Sequence, residues 1–265
     1  MDILERQKAM WTAGDFADVA KTIVSASEAA VAAVSPRPGE TLLDVACGTG
    51  NASLIAAGRG AKVTGLDLTP KLVGIARERA AEAGLEIEFV EGNAQELPYA
   101  DASFDSAVSV FGSMFAPDHA ATAAELVRVV RPGRRLAVAA WTPQGLNGQM
   151  FGVTAKHLPP PAPGFQPPVL WGAEEHVRRL FAGCEVRFER HAVAVDADSA
   201  EDWLAYGERA IGPLVLARQA LEPQGRWEAL RSDLRALYEA ANTAADGSYH
   251  AEAEYLLTVA ITPNG

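Results

Sequence analysis

Cysteine is scarce in this chain, and so is positive charge. Only Cys47 and Cys184 occur in 265 residues, and they lack the close spacing of metal ligands. Two thiols do not make a disulfide framework, which favours a reduced, cytosolic setting. Lys and Arg number 23 against 34 Asp and Glu, so the formal net charge is −11. Such a surface repels phosphate backbones, and we expect no nucleic-acid partner.

A targeting segment and long apolar runs are also missing. Residues 1–6 show no positive region that leads into the apolar core of a signal peptide. No uncharged run approaches the roughly 20 residues of a membrane helix. We therefore expect a soluble, cytoplasmic protein that does not bind membranes. No cluster of His, Asp and Glu is spaced as a magnesium or zinc site, so we expect no metal.

A glycine-rich turn between an apolar strand and a helix is present. The run from Thr41 to Ala46 leads into Gly48-Thr49-Gly50, and a helix is predicted from about residue 52 to 59. Two glycines two apart permit a tight turn and a close approach of backbone N–H groups to a ligand. A second apolar run ends in Asp67, 19 positions after Gly48, where a carboxylate would hold a ribose diol. Together these features predict a nucleoside-binding βαβ unit.

The third glycine of a dinucleotide fingerprint is replaced by Ser53. A nicotinamide-dependent reductase would also need a catalytic Tyr/Lys pair or His, and neither occurs in a convincing place. The stretch from Asp44 to Asn51, with its acidic residue four positions before the first glycine, instead resembles motif I of the class I S-adenosylmethionine (SAM)-dependent methyltransferases. A non-catalytic protein of the same fold that binds partners through its lid is a further alternative.

Three more stretches resemble the motifs of this family and follow in the same order. They are the loop 93–98 after the third strand, the S-F-D-x-V-like start of the fourth strand at 103–108, and the E-L-V-R-V-V-R-P-G segment at 125–133. The resemblance covers about residues 42–141 and is nearest to the quinone and natural-product small-molecule methyltransferases. It implies SAM as cofactor and S-adenosylhomocysteine as product.

The family resemblance also implies an α/β fold, a Rossmann-like seven-stranded sheet ordered 3-2-1-4-5-7-6 with an antiparallel last strand and lid insertions. Periodicity independently assigns the edges of the sheet. Alternating patterns at 85–91 and 185–190 predict edge strands, and continuous apolar runs at 41–46, 104–110 and 135–141 predict central ones. Thr69-Pro70 predicts a helix start with a capping hydroxyl.

We expect one domain over residues 1–265, divided into five parts. They are an N-terminal helical lid at 1–38, a SAM-binding core at 39–141, a proline-rich lid at 142–171, a helical insertion at 199–241 and the last strand at 252–262. Segment 142–171 contains seven prolines and a single charged side chain, Lys156. Its apolar residues favour a lid over the alternative, a polyproline linker or SH3 ligand.

The resemblance assigns the cofactor to eleven residues of four loops. These are Asp44, Ala46, Gly48 and Gly50 in the glycine turn, Asp67 and Leu68 after the second strand, Asn93, Ala94 and Gln95 at the adenine, and Val110 and Phe111 after the fourth strand. Asn93 stands where the family more often has aspartate, but its amide oxygen can still accept from the adenine amino group.

Methyl transfer from a sulfonium is an SN2 displacement that needs alignment and exclusion of water. A base is needed only when the acceptor must lose a proton. Some small-molecule members of the family carry histidine directly after strand four, whereas this chain has Ser113-Met114-Phe115 there. His119, at a helix start on the ligand-binding edge of the sheet, is then the best single base; positioning alone is the alternative. We expect an apolar small-molecule acceptor and leave the methylated atom and a homodimer open.

Overall fold

The computed structural model describes residues 3–161 and 164–264, which build one seven-stranded sheet flanked by helices. The strand order is 3-2-1-4-5-7-6. Strands β1 to β5 run parallel, and β7 lies antiparallel between β5 and β6. The fold and the strand order predicted from the family resemblance are confirmed.

The seven strands are β1 (Thr41–Val45), β2 (Lys62–Asp67), β3 (Ile87–Glu91), β4 (Phe104–Val110), β5 (Val130–Trp141), β6 (Glu185–Ala197) and β7 (Tyr249–Ile261). Before β6 the helices are α1 (Ile3–Ala13), α2 (Phe16–Thr22), α3 (Val24–Val34), α4 (Asn51–Gly58), α5 (Pro70–Glu82), α6 (His119–Val129), α7 (Leu146–His157) and α8 (Glu174–Leu180). Between β6 and β7 lie α9 (Ala200–Ala210), α10 (Gly212–Leu221) and α11 (Trp227–Ala241). Short 3₁₀ turns occur at Ser113–Phe115, Pro168–Gly172 and Glu222–Gln224.

The apolar pattern of each strand matches its place in the sheet. Leu42, Leu43 and Val108 of the central strands β1 and β4 are fully buried, because helices cover both faces of the sheet there. The edge strands β3 and β6 alternate between more and less exposed side chains. The assignment of edges from periodicity is confirmed.

The last two strands are longer than predicted. Their antiparallel ladder runs from Glu185↔Ile261 to Ala197↔Tyr249. β6 therefore extends seven residues beyond the predicted 185–190, and β7 begins three residues before the predicted 252–262. The extra length of β7 buries the small side chain of Ala251. Alanine carries little strand preference, which is why the sequence pattern missed this part.

The helix start at α5 is predicted correctly, but its cap is not. The hydroxyl of Thr69 is buried and has no hydrogen-bond partner among the described residues. The Thr69 N–H instead donates to Oδ1 of Asp67 at 2.8 Å. The first turn of α5 is therefore fixed by the carboxylate at the end of β2, which also belongs to the candidate site.

The proline-rich segment 142–171 is mostly folded. It contains helix α7, and Leu146, Met150 and Trp171 are buried in the core. The interpretation as a polyproline linker is wrong for the described part; Pro163 lies outside it. Replacing the whole segment with a Gly/Ser loop would remove core side chains, so its role as a lid has to be tested by single substitutions.

Two further properties concern the described residues as a whole. Within 3–161 and 164–264, none of the helices is long and apolar enough to cross a bilayer. In the same ranges, no group of three or more His, Cys, Asp or Glu side chains converges as metal ligands would.

Candidate functional site

A cavity of about 850 Å³ opens at the carboxyl ends of β1, β2 and β4. This is the edge at which open α/β sheets bind ligands. We call it the first cavity. Nine of the eleven predicted cofactor residues line it: Asp44, Ala46, Gly48, Asp67, Leu68, Asn93, Ala94, Val110 and Phe111. The N-terminal helices, predicted as a lid, contribute Gln7, Trp11, Phe16, Ala20, Ile23 and Ser27 to the same lining. The prediction missed the turn after β4, which contributes Gly112, Phe115 and Ala116.

The glycine turn brings its backbone to the cavity surface. Gly48 has φ +55°, and a Cβ placed on it would lie 2.7 Å from Cε1 of Phe16. Gly50 has φ +84° and faces the other way, where a Cβ would meet Phe89 at 3.2 Å. Gly50 therefore shapes the turn but does not line the cavity, contrary to the role predicted for it.

Asp67 ties the glycine turn to the end of β2. Its Oδ2 accepts from the backbone N–H of Gly48, and its Oδ1 accepts from Thr69, each at 2.8 Å. Burial raises the pKa of this carboxyl, while the two backbone hydrogen bonds work in the opposite direction. A carboxylate has about four acceptor sites, so both oxygens can still accept from a diol in the cavity.

Asp44 is the second buried acid of the cavity, with 2% of its surface exposed. Its Oδ2 accepts from the backbone N–H of Ser53 at 3.0 Å and from its hydroxyl at 2.7 Å. Its Oδ1 makes no hydrogen bond to any residue in the described ranges. Burial raises the pKa of Asp44 to about 7, although the bonds from Ser53 lower it and the charge of Asp67 adds to the rise. Ser53, which replaces the third glycine of the dinucleotide fingerprint, therefore holds the carboxyl of Asp44 in place.

Asn51 links the glycine turn to the N-terminal helices. Its Nδ2 donates to the carbonyl of Ala20 in α2 at 2.6 Å. Nη1 of Arg79, from α5, donates to Oδ1 of Asn51 at 2.9 Å and to the carbonyl of Thr49 at 2.6 Å. Helix α2, the glycine turn and α5 are thus joined by one amide and one guanidinium.

In the predicted adenine loop, Asn93 lines the cavity and Gln95 does not. Oδ1 of Asn93 accepts from the backbone and side-chain nitrogens of Gln95 at 3.0 and 3.1 Å. Oε1 of Gln95 accepts from the backbone N–H of Asp118 at 2.8 Å. Gln95 therefore stabilises the loop from the side that faces away from the first cavity. Its predicted contact with the cofactor is not supported by the structure.

His119 is completely buried and lines neither the first cavity nor the second one described below. Its Nδ1 lies 3.1 Å from Nε2 of His176, and its ring packs edge-on against Trp171. Burial, together with the nearby His176, lowers the pKa of His119 to about 4. The expectation that this histidine faces the open edge of the sheet is wrong, because the proline-rich segment and α8 cover it. The geometry gives no support to its role as a base, which only kinetics can test.

A second cavity, of about 770 Å³, adjoins the first. It lies between the N-terminal helices, α7, α9 and the antiparallel end of the sheet. Twenty residues line it: Trp11, Phe16, Val19, Thr22, Ile23, Phe111, Phe115, Trp141, Asn147, Met150, Phe151, Val193, Val195, Trp203, Tyr206, Ala210, Ile211, Gly212, Pro213 and Ala253. None of these side chains is charged. The sequence pattern could not identify this set, since its members come from distant parts of the chain.

Four aromatic side chains lie where the two cavities adjoin, and we call this junction the aromatic partition. Trp11, Phe16, Phe111 and Phe115 line both. Trp11 packs edge-on against Phe16 and Phe115, with ring centroids 5.5 and 4.7 Å apart. Phe111 has φ +53° and lies parallel to Trp141, with centroids 3.7 Å apart. A left-handed backbone at a residue other than glycine is costly and is found most often at functional sites.

Comparison with known proteins gives the family. The sequence profile of the family described as "Methyltransferase domain" matches residues 43–138, which hold the glycine turn and Asp67. An uncharacterized protein of Mycobacterium tuberculosis is 38% identical over 216 residues, covering 80% of this chain and 79% of its own length. The chain belongs to the class I SAM-dependent methyltransferases.

Other relatives match shorter parts of the chain. A second uncharacterized M. tuberculosis protein is 45% identical over 174 residues, which are 65% of this chain and 64% of the relative. The ubiquinone/menaquinone biosynthesis C-methyltransferase of Brucella abortus is 46% identical over 108 residues, or 39% of this chain and 40% of that protein.

Solved structures share the methyltransferase fold. The YcgJ protein of Bacillus subtilis superposes with a TM-score of 0.63 at 16% identity, covering 90% of this chain and 98% of that one. Geranyl diphosphate methyltransferase in complex with SAM gives 0.54 at 21% identity, with 90% and 84% covered. At these identities the likeness shows the fold, and the acceptor has to be inferred from this chain's own residues.

Proposed function

We propose that this protein transfers the methyl group of SAM to an apolar small molecule without help from a metal ion. One observation carries the proposal: a cavity with two buried acids and a glycine turn adjoins an uncharged cavity across an aromatic partition. The first has the groups that hold a nucleoside, and the second can take an apolar acceptor. Because the two cavities adjoin at the residues they share, the acceptor atom could reach the methyl carbon of the donor directly there.

The residues of the first cavity fit SAM. Asp67 lies where its carboxylate can accept from ribose hydroxyls, and Gly48 lets the backbone approach the ligand. Oδ1 of Asp44 lacks a partner in the described part of the chain, so it can accept from the amino group of the methionine moiety. Asn93 and the N–H of Ala94 would face the adenine. When bound, SAM supplies an electrophilic methyl group on a sulfonium.

The chain itself contributes alignment and exclusion of water. The apolar walls of the second cavity and the N-terminal helices keep solvent away from the partition, and fixed positions of the two reactants can supply much of the reduction of the barrier. Of the described residues that line the second cavity, Tyr206 alone is ionisable. Burial, with a smaller effect of Asp18, raises its pKa to about 12. The second cavity thus offers no base at neutral pH, which favours positioning over the alternative of base catalysis.

The names of two relatives help to delimit the acceptor. The Brucella relative acts in quinone biosynthesis, but the match covers only 39% of this chain and 40% of that protein. Geranyl diphosphate carries a diphosphate, which needs cationic partners, and the described lining of the second cavity has none. We therefore propose a neutral acceptor, and neither nucleic acid nor a membrane surface as substrate.

Calorimetry with S-adenosylhomocysteine tests the proposal. We expect saturable binding in the micromolar range and none with NADH or NADPH, because Ser53 replaces the third glycine of the dinucleotide fingerprint. Saturable binding of a nicotinamide cofactor without binding of S-adenosylhomocysteine would make the protein a reductase.

A further inference from the structure

We propose that the second cavity is the acceptor site and that Asn147 orients a flat, uncharged acceptor by hydrogen bonding to its polar substituent. This inference rests on the proposed function and specifies the acceptor site, the shape of the acceptor and the residue that orients it. It follows from the shape, the charge and the unused hydrogen-bonding groups of the cavity.

The shape of the cavity suits a flat ligand. Eight of its twenty lining side chains are aromatic. Two pairs of these rings are stacked nearly parallel: Phe111 on Trp141, with an interplanar angle of 5°, and Trp203 on Tyr206, with one of 19°. Planar rings present flat apolar faces, on which a planar ligand stacks with large contact area.

The charge of the cavity excludes ionic ligands. None of the described residues that line it carries a charged side chain, and apart from the aromatic rings, Thr22 and Asn147 its lining residues are aliphatic or small. Moving an ion from water into such a site without a partner costs several kcal/mol. A carboxylate or a phosphate ester would therefore bind poorly, whereas a neutral aromatic compound loses little on leaving water.

Three side chains other than tryptophan bring polar atoms to this lining, and two of them are already engaged or buried. The hydroxyl of Thr22 donates to the carbonyl of Val19 in its own helix at 2.8 Å. The hydroxyl of Tyr206 lies below the cavity surface, near Asp18. The side chain of Asn147 is half-buried and forms no hydrogen bond to any of the described residues. Its amide can donate and accept, so it can bind a hydroxyl or a carbonyl group.

The start of α7 holds Asn147 in place. Oγ1 of Thr142 donates to Oε1 of Glu254 at 2.8 Å and accepts from the N–H of Gly145 at 3.1 Å. A Cβ on Gly148 would lie 2.1 Å from the carbonyl oxygen of Thr142, so the first turn of α7 packs directly on the end of β5. A polar group on such a rigid element can select one orientation of the ligand.

The test compares 2-naphthol with naphthalene and with 2-naphthoate, by ligand-observed NMR titration in the presence and absence of S-adenosylhomocysteine. The first two probes differ by one hydroxyl, and the third carries a negative charge instead. We expect wild-type protein to bind 2-naphthol at least about tenfold more tightly than 2-naphthoate.

Two variants of the same helix separate orientation from packing. In Asn147→Ala, the affinity for 2-naphthol should fall about tenfold, because its hydroxyl is then buried without a partner, while the affinity for naphthalene changes less than about twofold. Gln149→Ala is the matched control, since this exposed amide bonds only to the carbonyl of Gln144. It should leave both affinities within about twofold. A merely structural role of Asn147 would change both probes equally.

The outcomes distinguish this inference from the proposed function. If S-adenosylhomocysteine binds but no probe does, the assignment of the second cavity as acceptor site is overturned and the methyltransferase proposal stands. If Asn147→Ala weakens naphthalene as much as 2-naphthol, Asn147 does not orient the ligand. If the probes show the expected dependence on Asn147 but S-adenosylhomocysteine does not bind, the binding site stands and the proposed function fails.

Discussion

Substitution of Asp44 by asparagine should stabilise the free protein at neutral pH. Burial raises the pKa of Asp44 from its ordinary value of 3.8 to about 7. Between these values the unfolded chain has lost its proton and the folded protein keeps it. Stability is therefore lost as the pH rises from about 4 to about 7, and the loss stays constant above the folded-state pKa.

The size of the effect follows from this pKa change. At about 1.4 kcal/mol for each pH unit, ionisation of the buried carboxyl costs on the order of 4 kcal/mol above pH 7 and roughly a third of that at pH 5. Asparagine keeps the shape and the oxygen that accepts from Ser53, but it never has to carry a charge. The variant should thus regain much of this free energy at pH 8 and little at pH 5.

Denaturant unfolding of wild type and Asp44→Asn between pH 5 and pH 8 measures the difference. Asp105→Asn is a control of opposite sign. Despite the effect of partial burial, hydrogen bonds from Thr41 and Arg131 hold the pKa of Asp105 below its usual range. That variant should be less stable than wild type at pH 8. A gain for Asp44→Asn that is the same at both pH values, or a loss at pH 8, would refute the reasoning about Asp44.

Three further substitutions test the site. Asp67→Ala should weaken binding of S-adenosylhomocysteine by about 10²-fold or more in calorimetry, because it removes a charge-assisted contact to the ribose and frees the Gly48 N–H; an unchanged affinity would exclude Asp67 from the site. Asn51→Ala should speed amide hydrogen exchange in α2, since that helix loses its bond to the glycine turn, and unchanged exchange would show that the bond is dispensable. His119→Ala should lower turnover less than about fivefold with cofactor affinity intact, whereas a hundredfold fall would restore His119 as a base.

Local sequence features brought together most of the residues that line the first cavity. The glycine turn, Asp44 and Asp67 lie within 24 consecutive residues, and turn chemistry and strand periodicity act over such distances. The sequence predicts glycine at position 48 for a tight turn, whereas the close approach of Phe16 to Gly48 is seen only in the structure. The same local signals placed the edge and central strands.

The second cavity could not be predicted in the same way. The second cavity is assembled from residues between Trp11 and Ala253, and no periodicity links them. The prediction of an accessible His119 failed for the same reason. A helix start at the ligand-binding edge of the sheet is normally accessible, but Trp171 and His176, more than 50 residues later in the chain, cover His119. The sequence did not indicate a role for Asn147, since a single amide side chain at a helix start is usually exposed to solvent.

A crystal structure of the protein with S-adenosylhomocysteine tests the central claim most directly. We expect the nucleoside in the first cavity, with both ribose hydroxyls within hydrogen-bonding distance of Asp67 and the sulfur directed at the aromatic partition. A ligand bound elsewhere, or a ribose that does not touch Asp67, would contradict the assignment of this cavity to SAM.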